Sequence, residues 1–366
     1  VTSRSKKLLS DLLKFLLFLA IGAGILYWVY TSQNKAYQAQ CVIDGIPQDE
    51  CSLMDKLLTD FRSINPWWTI VVILCYQMSN VVRSLRWQMI CKPLGYKIRF
   101  NNAFWTIMLG YFANLGLSRA GEVVRAGSLS RYEKIKLDNV IGTIALDRVL
   151  DLVSMTIVIL IAFYFQYDEI HNYLSANMKD FDLVAFSKGW IFQSFLTGLA
   201  LFLLLLILFR NRIRQSLLYL RIKNFVKGIL AGMKTIKNID RPILFSFYSI
   251  MVWVFYFAMA YFAFFSFAPT EHLGIRAALL VFVFGSFGIV IPSPGGMGTY
   301  HALAMAALAI YGVRGDDAFS YANIMFFNIQ IMTTIVFGIL SIILLPLINR
   351  HYIPEHTTII HGSEQS

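Results

Sequence analysis

VIGTIALDRVLDLVSMTIVILIAFYF, residues 140–165, is the stretch whose reading decides the fold. It is apolar for longer than the roughly 20 residues that cross a bilayer as a helix, yet it contains Asp147, Arg148 and Asp151. A charge at mid-membrane costs roughly 2.5–3.5 kcal/mol on insertion scales, so a lipid-facing position without a partner is disfavoured. Two readings follow. Either the charges are paired or hydrated inside the membrane, or the crossing begins near Leu150 and they sit among headgroups. Asp147 and Asp151 are one helical turn apart on one face, and Arg119 and Arg125 are the cations expected to meet them.

Outward from this stretch, further apolar runs extend over Leu12–Tyr30, Trp67–Val82, Trp190–Phe209, Ile243–Phe267 and Tyr321–Ile348. With 57% apolar and 14% charged residues in a chain of 366, a soluble composition is excluded. The expectation is an all-α polytopic membrane protein. Arg4, Lys6 and Lys7 precede the first run, which closes on Tyr27, Trp28 and Tyr30 rather than on small residues; this reads as an uncleaved anchor, not a signal peptide. Cys41 and Cys51 share one connecting segment and form either a disulfide or two free thiols, while Cys75 and Cys91 lie in or near helices.

Charge in the connections orients the crossings. Residues 31–66 hold five acids and three bases, and residues 167–187 hold four acids and one base, so both read as external. Residues 83–100 hold five bases and no acid, and residues 210–241 hold nine bases and one acid. Those read as internal. The net charge of +11 is thereby a topological signal plus attraction to anionic headgroups, and nucleic acid is not an expected partner. Residues 211–238 read as a helix in the cytoplasmic interface or as a solvated connecting helix.

With both termini cytoplasmic, the six runs cross alternately. The apolar segments Phe100–Gly116 and Leu279–Leu308 must then each enter and leave on one side, as two re-entrant helical hairpins. The expected organisation is an anchor helix and external loop over 1–66, a first repeat unit over 67–166, a linking helix and basic interfacial helix over 167–241, a second repeat unit over 242–348 and a polar cytoplasmic tail over 349–366. The two units have opposite topology, an inverted-repeat arrangement inferred from hydropathy and charge alone. In transporters such repeats place a binding site near the midplane.

Two more constellations could carry chemistry. In Asn114-Leu-Gly-Leu-Ser-Arg119-Ala-Gly-Glu122-Val-Val-Arg125, the charges follow one another at three-residue steps, roughly along one helix face. Arginine's planar fork suits bidentate contact with phosphate, and Glu122 between two arginines could orient them; the competing reading is an ordinary basic cluster at the inner surface. In Pro292-Ser-Pro294-Gly295-Gly296-Met-Gly298-Thr-Tyr300-His301, two prolines and three glycines must break the helix. Such a break survives at membrane depth only where protein or water satisfies the freed backbone, and the following helix start offers N–H groups to an anion. His301 could carry a proton, hydrogen-bond a headgroup, or be a structural residue. No lysine follows the glycines as a nucleotide loop requires, no Cys or His cluster has metal spacing, and no G-x-S-x-G occurs. Neither a cofactor nor a metal is expected.

Arg119-x-Gly-Glu122-x-x-Arg125, Asp147-Arg148-x-x-Asp151 and Pro294-Gly-Gly-x-Gly298 together resemble, in order and spacing, the lysylphosphatidylglycerol synthase transmembrane region family, over roughly residues 10–345. In the multiple peptide resistance factor, a fused bacterial member, this kind of region is the flippase that moves an aminoacylated phospholipid between leaflets. A separate cytoplasmic domain there performs the aminoacyl transfer. Only a short tail follows Asn349, so the resemblance implies the translocating half without the synthase half. Two departures are Ser118, where the family commonly has proline, and His301, where it often has glutamate. For a stand-alone member the implied cargo extends to polyprenyl-linked or glycosylated lipids.

The expected function is thus a flippase-like transporter in the cell (inner) membrane, not an enzyme. Arg119 and Arg125 would hold an anionic or modified headgroup, Glu122, Asp147 and Asp151 would order them or carry protons, and Pro294–Gly298 would supply donors and a hinge; Arg148, Asn114 and Tyr300 complete the candidate set. The expected partner is a membrane phospholipid or lipid-linked substrate, with a homo-oligomer open. The alternatives are a membrane enzyme using Asp147, Asp151 or His301 on lipid-linked envelope precursors, and an assembly partner in envelope synthesis.

Overall fold

Asn65 and Pro66 start the helix around which the others are arranged. The Asn65 side chain accepts from the backbone N–H groups of Trp67 and Trp68, at 3.0 and 3.5 Å, and Pro66 occupies the first turn, where its missing N–H costs nothing. A computed structural model describes residues 20, 23–24, 26–39, 41–43, 47, 51–116, 120–177, 239–291 and 296–354. Regular structure among them is helical. In chain order the helices are α1 (residues 26–39), α2 (Leu53–Arg62), α3 (Pro66–Cys91), α4 (Phe100–Gly116), α5 (Ala120–Glu133), α6 (Leu137–Asn177), α7 (Pro242–Phe264), α8 (Ile275–Val290), α9 (Thr299–Ile310) and α10 (Gly315–Ile348). Helix α10 contains a π-helical stretch over Phe326–Thr333.

Four helices among the described residues are long and apolar enough to cross a membrane: Pro66–Leu94, Leu137–Glu169, Pro242–Phe264 and Gly315–Ile348. They correspond to four of the six runs; Leu12–Tyr30 is described only in part, and Trp190–Phe209 and residues 211–238 lie outside the described residues. One boundary differs from expectation. The run expected to end at Val82 continues as helix to Cys91, so Arg83 and Arg86 lie inside the crossing helix and not in an internal connection. No helix breaker intervenes before Pro93, and both arginines have partners, as described below.

Helices α4 and α5 face each other antiparallel, Gly110 against Arg125 and Asn114 against Gly121. Helices α8 and α9 do the same, Gly285 and Gly288 against Tyr300. At 1.5 Å per residue α8 is about 24 Å long, short of the hydrocarbon thickness of about 30 Å. Each pair is flanked by two long helices, α3 and α6 around the first, α7 and α10 around the second.

The packing pairs obey a two-fold pattern. Helix α3 lies antiparallel to α7, with Asn65 bonded to Ser266 (3.0 Å), Tyr76 beside Tyr256 (6.3 Å between rings) and the Ser79 hydroxyl donating to the Val252 carbonyl (3.1 Å). Helix α4 packs on α10, and α8 packs on α6. Exchanging α3 with α7, α4 with α8, α5 with α9 and α6 with α10 maps these contacts onto one another. Each hairpin leans on the closing helix of the other half.

Outside the crossings, Cys41 and Cys51 are joined in a disulfide, their Cα atoms 6.3 Å apart. Helix α2 is tied to the start of α10 through Lys56, which donates to Asp317 (2.7 Å) and Asp60 (2.8 Å). Burial alone would lower the Lys56 pKa, but these hydrogen bonds outweigh it and hold it above its ordinary value.

The hairpins close only because glycine faces the neighbouring backbone. A Cβ on Gly288 would sit 2.5 Å from the Tyr300 Cα, and one on Gly121 would run into the Gly110 carbonyl. Gly288→Ala should therefore cost about 1–3 kcal/mol through overpacking. Gly127→Ala, with nothing within 4 Å, should be neutral or stabilising by about 0.5–1 kcal/mol. Thermal unfolding of the two purified variants checks the contrast.

Candidate functional site

Asp147 and Asp151, one turn apart on α6, face two arginines three residues apart on α3. The Asp147 carboxylate accepts from Arg86 Nη2 (2.5 Å) and Arg83 Nη1 (3.2 Å). Asp151 accepts from the same two nitrogens, at 2.8 and 2.6 Å. Each carboxylate thereby binds both guanidiniums, and each guanidinium both carboxylates. Asp147 and Arg86 are fully buried and Arg83 nearly so. The reading that these charges sit among headgroups is thus replaced, for Asp147 and Asp151, by pairing inside the protein.

A third cation enters from the first hairpin. Arg125, on α5, reaches Asp147 at 3.4 Å and lies over the Trp87 ring, 3.7 Å from its centroid. The ring is fixed in turn by its N–H, which donates to the Thr143 hydroxyl at 3.0 Å. Three buried guanidiniums against two carboxylates leave a surplus of one positive charge. They also leave donors unused. Arg83 Nε, Arg86 Nε and Nη1, and Arg125 Nε and Nη2 are buried without a hydrogen-bond partner. Such N–H groups at membrane depth are costly unless something accepts from them. The arrangement can neutralise one anion and hydrogen-bond it from several sides.

The expected residues separate into groups. Arg125, Asp147 and Asp151 come together as expected. Arg148 and Glu122 pair with each other (2.8 Å) in a half-exposed bridge, and Arg148 also reaches Asp151 at 3.6 Å, so Glu122 meets Arg148 and not Arg125. Steps of three residues drift round a helix by about 60° each, which puts Glu122 outward while Arg125 is buried. Asn114 accepts from the Gly121 N–H at 2.8 Å and pins the first hairpin. Arg119, Pro294 and Gly295 lie outside the described residues.

In the second hairpin, Gly296 and Gly298 have φ of +83° and +79°, left-handed values that favour glycine. The Thr299 hydroxyl donates to the Gly288 carbonyl at 2.6 Å. His301 is buried, its Nδ1 accepting the Gly298 N–H at 3.3 Å and its ring 4.8 Å from that of Phe326. It caps the start of α9, while Tyr300 fills the space that Gly285 and Gly288 leave open. No group of His, Cys, Asp and Glu able to hold a metal occurs among the described residues.

Arg83 and Arg86 are the members of the cluster that charge counting missed. It placed them in a cytoplasmic connection. A usable signal was present: two arginines at i, i+3 extend an apolar helix without interruption, and a second helix carries two carboxylates at i, i+4.

Residues 52–350 match the family model described as the lysylphosphatidylglycerol synthase TM region. A UPF0104 membrane protein of Methanocaldococcus jannaschii is 29% identical over 154 residues, 41% of this chain and 43% of that protein. The matched stretch thus spans less than half of that relative. No solved structure matches the chain.

The charge arithmetic has a measurable consequence. Asp147→Asn leaves three guanidiniums against one carboxylate and should destabilise the protein by about 3–5 kcal/mol, the cost of breaking a buried pair. Adding Arg125→Met removes the surplus cation and should recover a substantial part of that loss. Thermal or denaturant unfolding of the single and double variants reads the coupling.

Proposed function

We propose, from the premise that the chain belongs to the lysylphosphatidylglycerol synthase transmembrane region family, that this multi-pass membrane protein is a flippase-like transporter of an anionic lipid headgroup. The observation that carries the reading is the uncompensated positive charge of Arg83, Arg86 and Arg125, with five buried donors open. A phosphodiester carries one negative charge and several acceptor oxygens. It would cancel the surplus and accept the unused N–H groups, and a neutralised headgroup crosses the hydrocarbon region far more readily than a charged one.

In this reading α4–α5 and α8–α9 are re-entrant hairpins entering from opposite sides, within inverted units bounded by residues 67–166 and 242–348. The antiparallel α3 and α7, the shortness of the hairpin helices and the two-fold packing pattern support it. The protein resides in the cell membrane with both ends cytoplasmic. The basic residues that remain outside α3, such as Lys97 and Arg99, keep the base of the first hairpin on the inner side.

Transport fits the site better than covalent chemistry. Asp147 and Asp151 are each held by three arginines, Arg83 and Arg86 shared between them with Arg125 on the first and Arg148 on the second, and His301 Nδ1 is engaged with backbone, so none of the three is poised as a free base.

Arg125→Met removes the surplus charge while leaving the four-way bridge between α3 and α6 intact. In proteoliposomes containing labelled phosphatidylglycerol, it should slow translocation by at least about tenfold, the effect expected of one lost charged hydrogen bond, with the folded protein recovered at normal yield. Unchanged translocation in that variant would count against the reading.

A further inference from the structure

A second set of buried polar atoms has no partner, and it begins where the arginine cluster ends. Along α3, Gln77, Asn80 and Arg83 follow at three-residue steps, each about 4.5 Å further along the axis and about 60° round it, so that Asn80 stands between the other two. Gln77 is nine-tenths buried, with both its amide oxygen and nitrogen unpartnered. Asn80 is fully buried; its nitrogen donates to the Tyr76 carbonyl at 3.0 Å, but its oxygen accepts nothing. On the antiparallel α7, Trp253 follows Val252, whose carbonyl accepts from Ser79 of α3; the Trp253 ring lies 6.3 Å from that of Tyr256 and 6.0 Å from that of Phe282, and the indole N–H is also unused. The Tyr256 ring in turn lies 6.0 Å from the Arg83 guanidinium. Aromatic faces and unpaired amides thus run on from the charged cluster.

The chemistry of these atoms selects among headgroups. They are uncharged, and between them they offer donors (Gln77 Nε2, Trp253 Nε1) and acceptors (Gln77 Oε1, Asn80 Oδ1). A hydroxyl both donates and accepts, so a polyol or sugar satisfies such a mixture, with its C–H face against the aromatic rings. An ammonium group needs acceptors and prefers carboxylates. In this site both buried carboxylates are already taken by arginines, and Glu122 is paired with Arg148.

We propose that Gln77, Asn80 and Trp253 form a second subsite, continuous with the arginine cluster, that takes the hydroxyl groups of an uncharged polyol or sugar esterified to the phosphate. This rests on the transport reading above and selects hydroxylated headgroups over aminoacylated or ethanolamine ones.

The test compares phosphodiester lipids of equal charge. The chain is reconstituted with acyl-labelled phosphatidylglycerol, phosphatidylinositol or phosphatidylethanol, the last lacking headgroup hydroxyls, and each is followed by quenching of the outer leaflet. The parent should move the hydroxylated lipids at least about tenfold faster, the effect expected of one hydrogen bond lost in a buried site. Gln77→Leu with Asn80→Leu should bring phosphatidylglycerol and phosphatidylinositol down to the phosphatidylethanol rate and leave phosphatidylethanol itself nearly unchanged. That unchanged rate also shows that the variant folds.

Equal rates for all three lipids in the parent would overturn the proposal. So would equal slowing of all three in the double variant, which would assign these amides to packing or to a water path, and so would faster movement of lysylphosphatidylglycerol than of phosphatidylglycerol. If the parent moves no lipid, the transport reading fails. Retention of phosphatidylglycerol over phosphatidylethanol by the purified protein in native mass spectrometry, and its loss in the double variant, then decides the subsite separately: preferential retention supports it, equal retention overturns it.

Discussion

Two carboxylates one turn apart on α6 and two guanidiniums three residues apart on α3 hold one another in a closed four-way bridge, and the position of the first hairpin follows from it. Most of α6 is turned outward: Leu152, Val153, Ile157, Leu160, Phe163 and Tyr164 are all exposed on the protein surface, where lipid would cover them. Among lipid tails an apolar helix face has no hydrophobic drive toward a neighbour, so polar contact gives α6 a defined partner and rotation. Helix α3 is meanwhile fixed against α7, and Arg125 brings α5 to the same carboxylate. One ionic junction therefore joins a crossing helix, the closing helix of the first half and the hairpin between them.

Such a junction is poorly explained as a stabilising device. Buried ion pairs roughly break even against apolar residues of the same volume, and this one includes a cation in excess and unpartnered donors. What it supplies is a fixed arrangement of N–H groups in surroundings of low polarity. At the opposite end of the hairpin the polar contacts are fully used: Glu133 accepts from the Arg99 backbone, Asn102 and Tyr352, and Asn102 exchanges hydrogen bonds with Asn349. That network locks the base of α4–α5 to the end of α10. The contrast between a satisfied base and an unsatisfied interior is what favours reading the second as a binding site and the first as a fastening.

Much of the architecture was legible in the sequence because helix breakers and apolar length are local signals. Phe100–Gly116 and Leu279–Leu308 were recognisable as apolar segments unlike the crossing runs; the first is one arm of the α4–α5 pair, which continues to Glu133, and the second falls in the α8–α9 pair. Asp147 and Asp151 were recognisable as groups in need of partners. Their main partners were not, because a count of charges for topology treats every arginine beyond an apolar run as part of a loop. Arg83 and Arg86 escape that rule: pairing with Asp147 and Asp151 offsets the burial that would otherwise end the helix at Val82. Glu122 meets Arg148 and not Arg125 for a geometric reason, since residues spaced by three share a face only over one step. The capping role of His301 depends on the left-handed turn at Gly298, a tertiary detail that spacing does not reveal.

The two halves share one architecture and divide the chemistry between them. In the first hairpin, Arg125 brings charge to the interior. In the second, left-handed glycines and capped backbone serve the corresponding position, and His301, Thr299 and Tyr300 are occupied with holding the turn. On the transport reading, a carrier must release what it binds. If both hairpins presented arginines, the anion would be trapped; if the carboxylates fully cancelled the arginines, it would not enter. Asp147 and Asp151 reduce three positive charges to a surplus of one, the value that a single phosphodiester cancels. The same two residues that fix the fold thereby set the strength of the site.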